Sequence, residues 1–263
     1  MLKTAKSIIG NKLNGNDWEI GTVKELVFDD EHWTVRYLVA ATGSWLADTQ
    51  VLISPYAVTA YSNSGLAISV NLGKKQIEDS PSLETGTYVS RKFEDDYYGY
   101  YGWPRYWCGP YAWGKSTSMA RNLAVRDRNL DEWIEAAARG KDGSPELLTR
   151  HEVLGHQILA EDGEVGVVED FLIDDETWSI RYLIVETPNS WPGQRVLLSP
   201  VWIDRSRDEV PTILVDLSLE TIRTAPAYTD GSNVTRDYED ALHRHYSRKG
   251  YWAEEPDPQV LKR

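Results

Sequence analysis

Apolar and polar residues alternate along 19–28 and again along 33–40, and both runs are rich in Val, Leu, Ile and Tyr. Alternation with a period of two gives an extended chain one buried face, so the pattern predicts two strands joined as a hairpin through Asp29-Asp30-Glu31-His32. The same pattern returns at 164–173 and 178–185. Shorter strands are predicted at 51–53, 56–61 and 67–72, and their counterparts at 196–198, 201–204 and 212–217. One or two helical turns fit 74–79 and 219–224, each stopped by a proline, Pro81 or Pro226. Between the two sets, Asn129 stands three residues before Glu132, and the run from Trp133 to Arg139 favours helix up to Gly140. A short helix is expected there.

The recurrence is a duplication. Phe28-Asp29-Asp30-Glu31-His32-Trp33-Thr34-Val35-Arg36-Tyr37-Leu38 returns as Ile173-Asp174-Asp175-Glu176-Thr177-Trp178-Ser179-Ile180-Arg181-Tyr182-Leu183, an offset of 145 positions. The same offset pairs Gly21 with Gly166, Ser54-Pro55 with Ser199-Pro200 and Tyr106-Trp107 with Tyr251-Trp252. Laid on 147–252 without a gap, 2–107 is identical at roughly three positions in ten, several-fold above chance for average composition. The expected organisation is a first repeat with an aromatic tail at 2–107, a linker at 108–146, a second repeat with its tail at 147–252, and a terminal segment at 253–263. Short strands punctuated by Gly and Pro suggest a small barrel in each repeat, so the fold class is mainly β.

Charge and composition narrow the function. The chain has 263 residues, is 41 % hydrophobic and carries a net charge of −13. Most of the acidity lies in 147–263, which holds 12 Lys+Arg against 22 Asp+Glu. An acidic chain is a poor partner for phosphate backbones, so nucleic acid is not expected. No apolar stretch approaches the ~20 residues of a membrane span, which predicts no direct membrane insertion and a cytoplasmic location. One cysteine, Cys108, excludes an intrachain disulfide and any zinc site of several thiolates.

The run from Gly21 to Phe28, Asp29-Asp30-Glu31, Trp33, Arg36-Tyr37-Leu38, Thr42-Gly43 with Trp45-Leu46, and Val51-Leu52-Ile53-Ser54-Pro55 resembles the PRC-barrel domain. The second repeat matches it over 166–200, with Pro188-Asn189-Ser190-Trp191 in place of Gly43-Ser44-Trp45-Leu46. The continuations Val89-Ser90-Arg91 with Glu94-Asp95, and Val234-Thr235-Arg236 with Glu239-Asp240, are similar to stand-alone bacterial members. The resemblance implies two small six-stranded barrels like those of the photosynthetic reaction-centre H subunit and the ribosome maturation factor. It also implies a non-catalytic module for protein interaction or assembly, with a protein partner or a second copy of the chain as its target. A reaction-centre-associated assembly role is the family analogy; a small-molecule or divalent-cation binder using the acidic turns or an inter-barrel cleft is the competing class.

The residues offer few sites for chemistry. Asp29, Asp30, Glu31, Asp174, Asp175 and Glu176 bring carboxylates together as a hard-cation site would, but such turns more often use Asp to hold backbone N–H groups, with Arg36 or Arg181 neutralising them. His243 and His245 could ligate a metal with Glu239 or Asp240, yet residues two apart on a short tail helix diverge, and the first repeat has Tyr98 and Tyr100 there. No nucleophile stands beside an oriented base, and no phosphate or dinucleotide loop is present, so neither catalytic residues nor a cofactor is expected. Nine aromatics crowd 97–114. Those shared by both repeats, Tyr101, Tyr106 and Trp107, are expected to pack on their own repeat. Tyr98, Tyr100 and Trp103, unmatched in the second repeat, and Trp133 in the linker are the interface candidates.

Overall fold

A computed structural model describes residues 1–16, 18–46, 50–61, 66–82, 89–114, 116–120, 146–188, 195–204, 211–229 and 234–253. The expected helix at 129–139, Trp133 and all but the first residue of 253–263 lie outside them.

The protein is mainly β. In chain order its first part contains β1 (Leu2–Thr4), α1 (Ala5–Ile8), β2 (Lys12–Asn14), β3 (Glu19–Asp29), β4 (Thr34–Ala41), β5 (Gln50–Ile53), β6 (Val58–Tyr61), β7 (Ala67–Val70), α2 (Lys74–Glu78) and α3 (Arg91–Tyr101). The second contains β8 (Leu147–Thr149), α4 (Arg150–Val153), β9 (Gln157–Ala160), β10 (Gly163–Asp174), β11 (Ile180–Glu186), β12 (Arg195–Leu198), β13 (Thr212–Leu214), α5 (Leu219–Arg223) and α6 (Arg236–His245). No helix among the described residues is long and apolar enough to cross a membrane.

The chain divides into two compact units, both discontinuous in sequence. The first comprises Met1, 3–152 and 173–180; the second comprises Leu2, 153–172 and 181–263. Strand β8 and the turn at 173–180 thus come from the second sequence copy yet belong to the first unit.

In the first unit a mixed sheet runs β5-β4-β3-β2-β7-β6, with β8 added to β3. The hairpin expected at 19–40 is its spine, with Val23 opposite Ala40, Leu26 opposite Leu38 and Asp29 opposite Thr34. On the other flank of β3, Val27 faces Thr149 and Asp29 faces Leu147. The turn at 173–180 also joins by its backbone: Val35 donates to the Trp178 carbonyl at 2.9 Å and Ile180 donates to that of Trp33 at 2.7 Å. Ile20, Phe28, Val35, Tyr37, Leu38 and Ile53, drawn from β3, β4 and β5, are fully buried. In the second unit the path is β12-β11-β10-β9-β13.

Neither sheet closes into a barrel among the described residues. The strand expected at 56–61 begins instead as a single 3-10 turn, Pro55–Ala57, and the one expected at 201–204 is a 3-10 turn, Pro200–Trp202, followed by an isolated bridge from Ile203 to Val215. The preceding Ser is extended and the proline's fixed φ suits the first helical position, so the chain turns a corner where alternation alone predicted a strand. Strand β5 ends the sheet path. The Tyr97 hydroxyl donates to its Leu52 carbonyl at 2.7 Å, satisfying part of that edge with a side chain from α3.

Gly21 and Gly166 hold equivalent sharp positions at φ 154° and 155°. A Cβ would lie 1.8 Å from the Ala41 carbonyl oxygen at Gly21 and 2.0 Å from that of Glu186 at Gly166. Alanine at either position must push a backbone strand aside, so each substitution is expected to cost at least about 1–3 kcal/mol in a denaturant titration. An unchanged midpoint would show that the strand yields freely.

Candidate functional site

Helix α3 begins at Ser90, whose hydroxyl accepts from the Phe93 amide, and the helical period then places Arg91, Glu94, Tyr97 and Tyr98 toward the sheet. The Glu94 carboxylate is the hub. Its Oε1 accepts from Tyr37 at 2.9 Å and Tyr106 at 2.8 Å, and its Oε2 takes Arg91 Nη1 at 2.6 Å. The Arg91 guanidinium stacks 4.3 Å from the Trp107 ring, and the Arg36 guanidinium lies 3.7 Å from that of Tyr106.

Every member returns in the second unit at the offset of the duplication. Thr235 caps α6, and Glu239 Oε1 accepts from Tyr182 at 2.9 Å and Tyr251 at 3.0 Å. Arg236 pairs with Glu239 at 3.1 Å and stacks on Trp252 at 4.1 Å, while Arg181 lies 3.9 Å from the Tyr251 ring. In each unit a tail helix is thus clamped to the sheet by one carboxylate, two phenols, two guanidinium groups and an indole. Burial and the neighbouring Glu239 push Tyr251 up to about 12, and burial above all lifts Tyr37 and Tyr106 well above the ordinary phenol. These hydroxyls stay protonated and act as donors.

The clamp was partly visible in the sequence as matched residues, but its assembly was not. Arg91 and Glu94 stand three apart, as do Arg236 and Glu239, which is the spacing of an intrahelical ion pair. That spacing is the signal that could have found them.

Beside the clamp, Arg36 is 0 % exposed and its Nε donates to Asp29 Oδ2 at 2.8 Å. The same carboxylate accepts from the amides of His32 at 2.6 Å and Thr34 at 3.3 Å. Burial alone would raise the Asp29 carboxyl; Arg36 and His32 outweigh it and bring it down to about 2. A carboxylate depressed in the folded state stabilises the fold above its ordinary value near 4 and loses that contribution as pH falls through about 2. Glu94 runs the other way: burial lifts its carboxyl despite Arg91 and the two phenols, so protonating it favours the fold. Melting curves from pH 5 to pH 2 should therefore show a loss of stability that Asp29→Asn reduces. Equal losses in both proteins would remove Asp29 as its source.

The six acidic residues of the two turns are used as turn residues, not gathered into one site. Asp29 is engaged as above, and Asp30 accepts from the Glu146 amide at 2.8 Å. Asp174 accepts from the Glu176 amide at 3.1 Å and the Thr177 hydroxyl at 2.9 Å, Asp175 pairs with the Met1 amino group, and Glu31 and Glu176 are exposed. Among the described residues no three His, Cys, Asp or Glu side chains are placed to hold a metal ion. His243 is buried against Tyr182, its Nε2 2.9 Å from the phenol, and its Nδ1 lies 3.0 Å from the Lys249 carbonyl, which can only accept. Burial holds this imidazole below its ordinary value. His245 instead reaches the Thr221 carbonyl at 2.7 Å.

The chain matches no family model and no curated protein. Its own residues therefore carry the functional reading.

The aromatic interface candidates separate. Tyr98 is 0 % exposed and sits among Tyr37, Tyr56, Trp103, Tyr106 and Trp107 of its own unit, so it presents no surface to a partner. Comparing the repeats marked it as surplus because the second copy has His243 there; in fact both side chains fill the same place beside the clamp. Trp103 stacks on Tyr101 at 4.4 Å and is half-buried. Tyr100 alone of the three is exposed, at 41 %, with its hydroxyl on the Gln76 carbonyl. Tyr98→Ala is thus expected to cost about 3–5 kcal/mol in chemical denaturation and Tyr100→Ala under ~1 kcal/mol. The reverse order would put Tyr98 outside the core.

Proposed function

We propose that this chain is a non-catalytic module for protein interaction or assembly, a tandem relative of the PRC-barrel family whose target is a protein partner or a second copy of itself. The observation that carries the reading is the duplicated clamp. The groups best suited to proton transfer or anion binding, Glu94 and Glu239 with their arginines and phenols, are turned inward to fasten a tail helix in each unit. Chemistry spent on holding the frame favours a scaffold that works through its surface. The family reading is further supported by the two mainly β units with short helices and by the motif residues Asp29, Trp33, Arg36 and Tyr37 lying in the first unit's core.

Two measurements test it together. Affinity capture by the full chain from its source cells, quantified by mass spectrometry, should return a partner in near-stoichiometric amount, or light scattering should show self-association. Neither, together with a saturable metal or metabolite titration in calorimetry, would overturn the proposal in favour of a small-ligand binder.

A further inference from the structure

The second unit bears an open cleft of about 1060 Å³. Its floor is apolar: Leu159, Leu214 and Val215 line it, with Val201 projecting 80 % exposed beside them. The duplication supplies an internal control. The residue equivalent to Val201 is Tyr56, which is only 4 % exposed because Trp113 and Trp103 pack on its ring at 4.8 and 6.0 Å. Position 103 becomes Arg248 in the second copy, and Trp18 becomes Gly163. With these bulky rings replaced, Val201 is exposed among the described residues.

The rim changes in the same comparison. Glu161, Asp204 and Asp216 line the cleft, where the first copy has Asn16, Thr59 and Asn71. The sister unit folds without acids at these positions, so the fold itself does not require them. Arg248 is the single cation among the described lining residues, and it is engaged with Asp216 at 2.8 Å. Asp216 also feels the charge of Asp204. Like charges set side by side over an apolar floor leave a surface whose complement is cationic and partly apolar.

We propose that this cleft docks a basic segment of a partner protein, with lysine or arginine side chains meeting Glu161 and Glu164 and an apolar side chain covering Val201. The proposal rests on the interaction-module reading and gives that module one of its surfaces. The segment's charges and its apolar anchor act together, which separates it from a simple polyamine and from general attraction to an acidic protein.

The test uses the full chain and a fluorescent hexapeptide alternating lysine and leucine, with a lysine–serine hexapeptide and spermidine as comparisons. The lysine–leucine peptide should bind saturably by anisotropy, and at least tenfold more tightly than the lysine–serine peptide. Glu161→Asn, the residue the first copy uses, together with Glu164→Gln should weaken it at least tenfold while the melting curve is unchanged. Val201→Lys should do the same by removing the anchor and adding a like charge. Equal binding of both peptides, displacement of the lysine–leucine peptide by spermidine at equal concentration, or indifference to both variants would overturn the cleft as the docking site. A captured cellular partner that still binds both variants would overturn the cleft alone and leave the interaction module standing, whereas failure to capture any partner or to self-associate is the outcome that counts against the module.

Discussion

Trp178→Ala is expected to destabilise the first unit by about 3–5 kcal/mol, although Trp178 belongs to the second copy of the sequence. The ring is 1 % exposed and lies stacked 6.0 Å from Tyr61. Its carbonyl accepts the Val35 amide, so the side chain and backbone of this turn fasten the β4 end of the hairpin. The residue also sits at φ 59°, as Trp33 does at 49°, a left-handed conformation that a bulky residue adopts only when its surroundings hold it there. Hydrogen exchange at the amides of β3 and β4 reads the effect where it arises. Exchange unchanged there, with a total loss below ~1 kcal/mol, would mean that the indole is dispensable to that unit.

Asp29→Ala should be as damaging, by about 3–5 kcal/mol, because it strands a guanidinium with no access to water. Arg36 Nε loses its carboxylate, its Nη1 keeps only the Ala112 carbonyl, and its Nη2 already has no hydrogen-bond partner among the described residues. The two rings flanking Arg36, Tyr106 at 3.7 Å and Trp113 at 4.9 Å, offset part of a charge but not its desolvation. Removing the charge as well, in Asp29→Ala with Arg36→Met, should restore a substantial part of the lost stability. A double variant as unstable as the single one would locate the damage in the turn, where Asp29 holds the His32 and Thr34 amides, and not in the unpaired arginine.

What the sequence disclosed was what depends on local periodicity. The alternation at 19–40 and 164–185 marked the two long hairpins, and the turn role of Asp29 beside Arg36 followed from the two residues' chemistry. Strands β1, β2, β8 and β9, which the alternation does not mark, have three or four residues each, too few to show a period. The corners at Pro55 and Pro200 contain apolar residues that read as strand until the proline's fixed φ is weighed against them. Tyr98 misled for a different reason. Comparing aligned copies assumes that a position keeps its residue type if it keeps its place, yet Tyr98 and His243 both lie buried beside the clamp. The acidic cleft was hidden because its lining is drawn from five separate stretches of chain.

The discontinuity of the first unit bears on how the chain is made. Strand β3 is complete at Asp29, but its neighbour β8 begins at Leu147 and the turn that meets β4 ends at Ile180. At synthesis rates of ~5–20 residues per second, the flank of β3 waits on the order of ten seconds for its last partners to be translated. Through that interval Val27 and Phe28 lack the neighbours that cover them in the finished protein, and an open strand flank is a template for pairing with another nascent chain. Chains emerging close together on one message are therefore the setting in which this fold is most exposed to pairing with the wrong copy, and a chaperone that shields the first 120 residues until Ile180 has emerged would raise its yield.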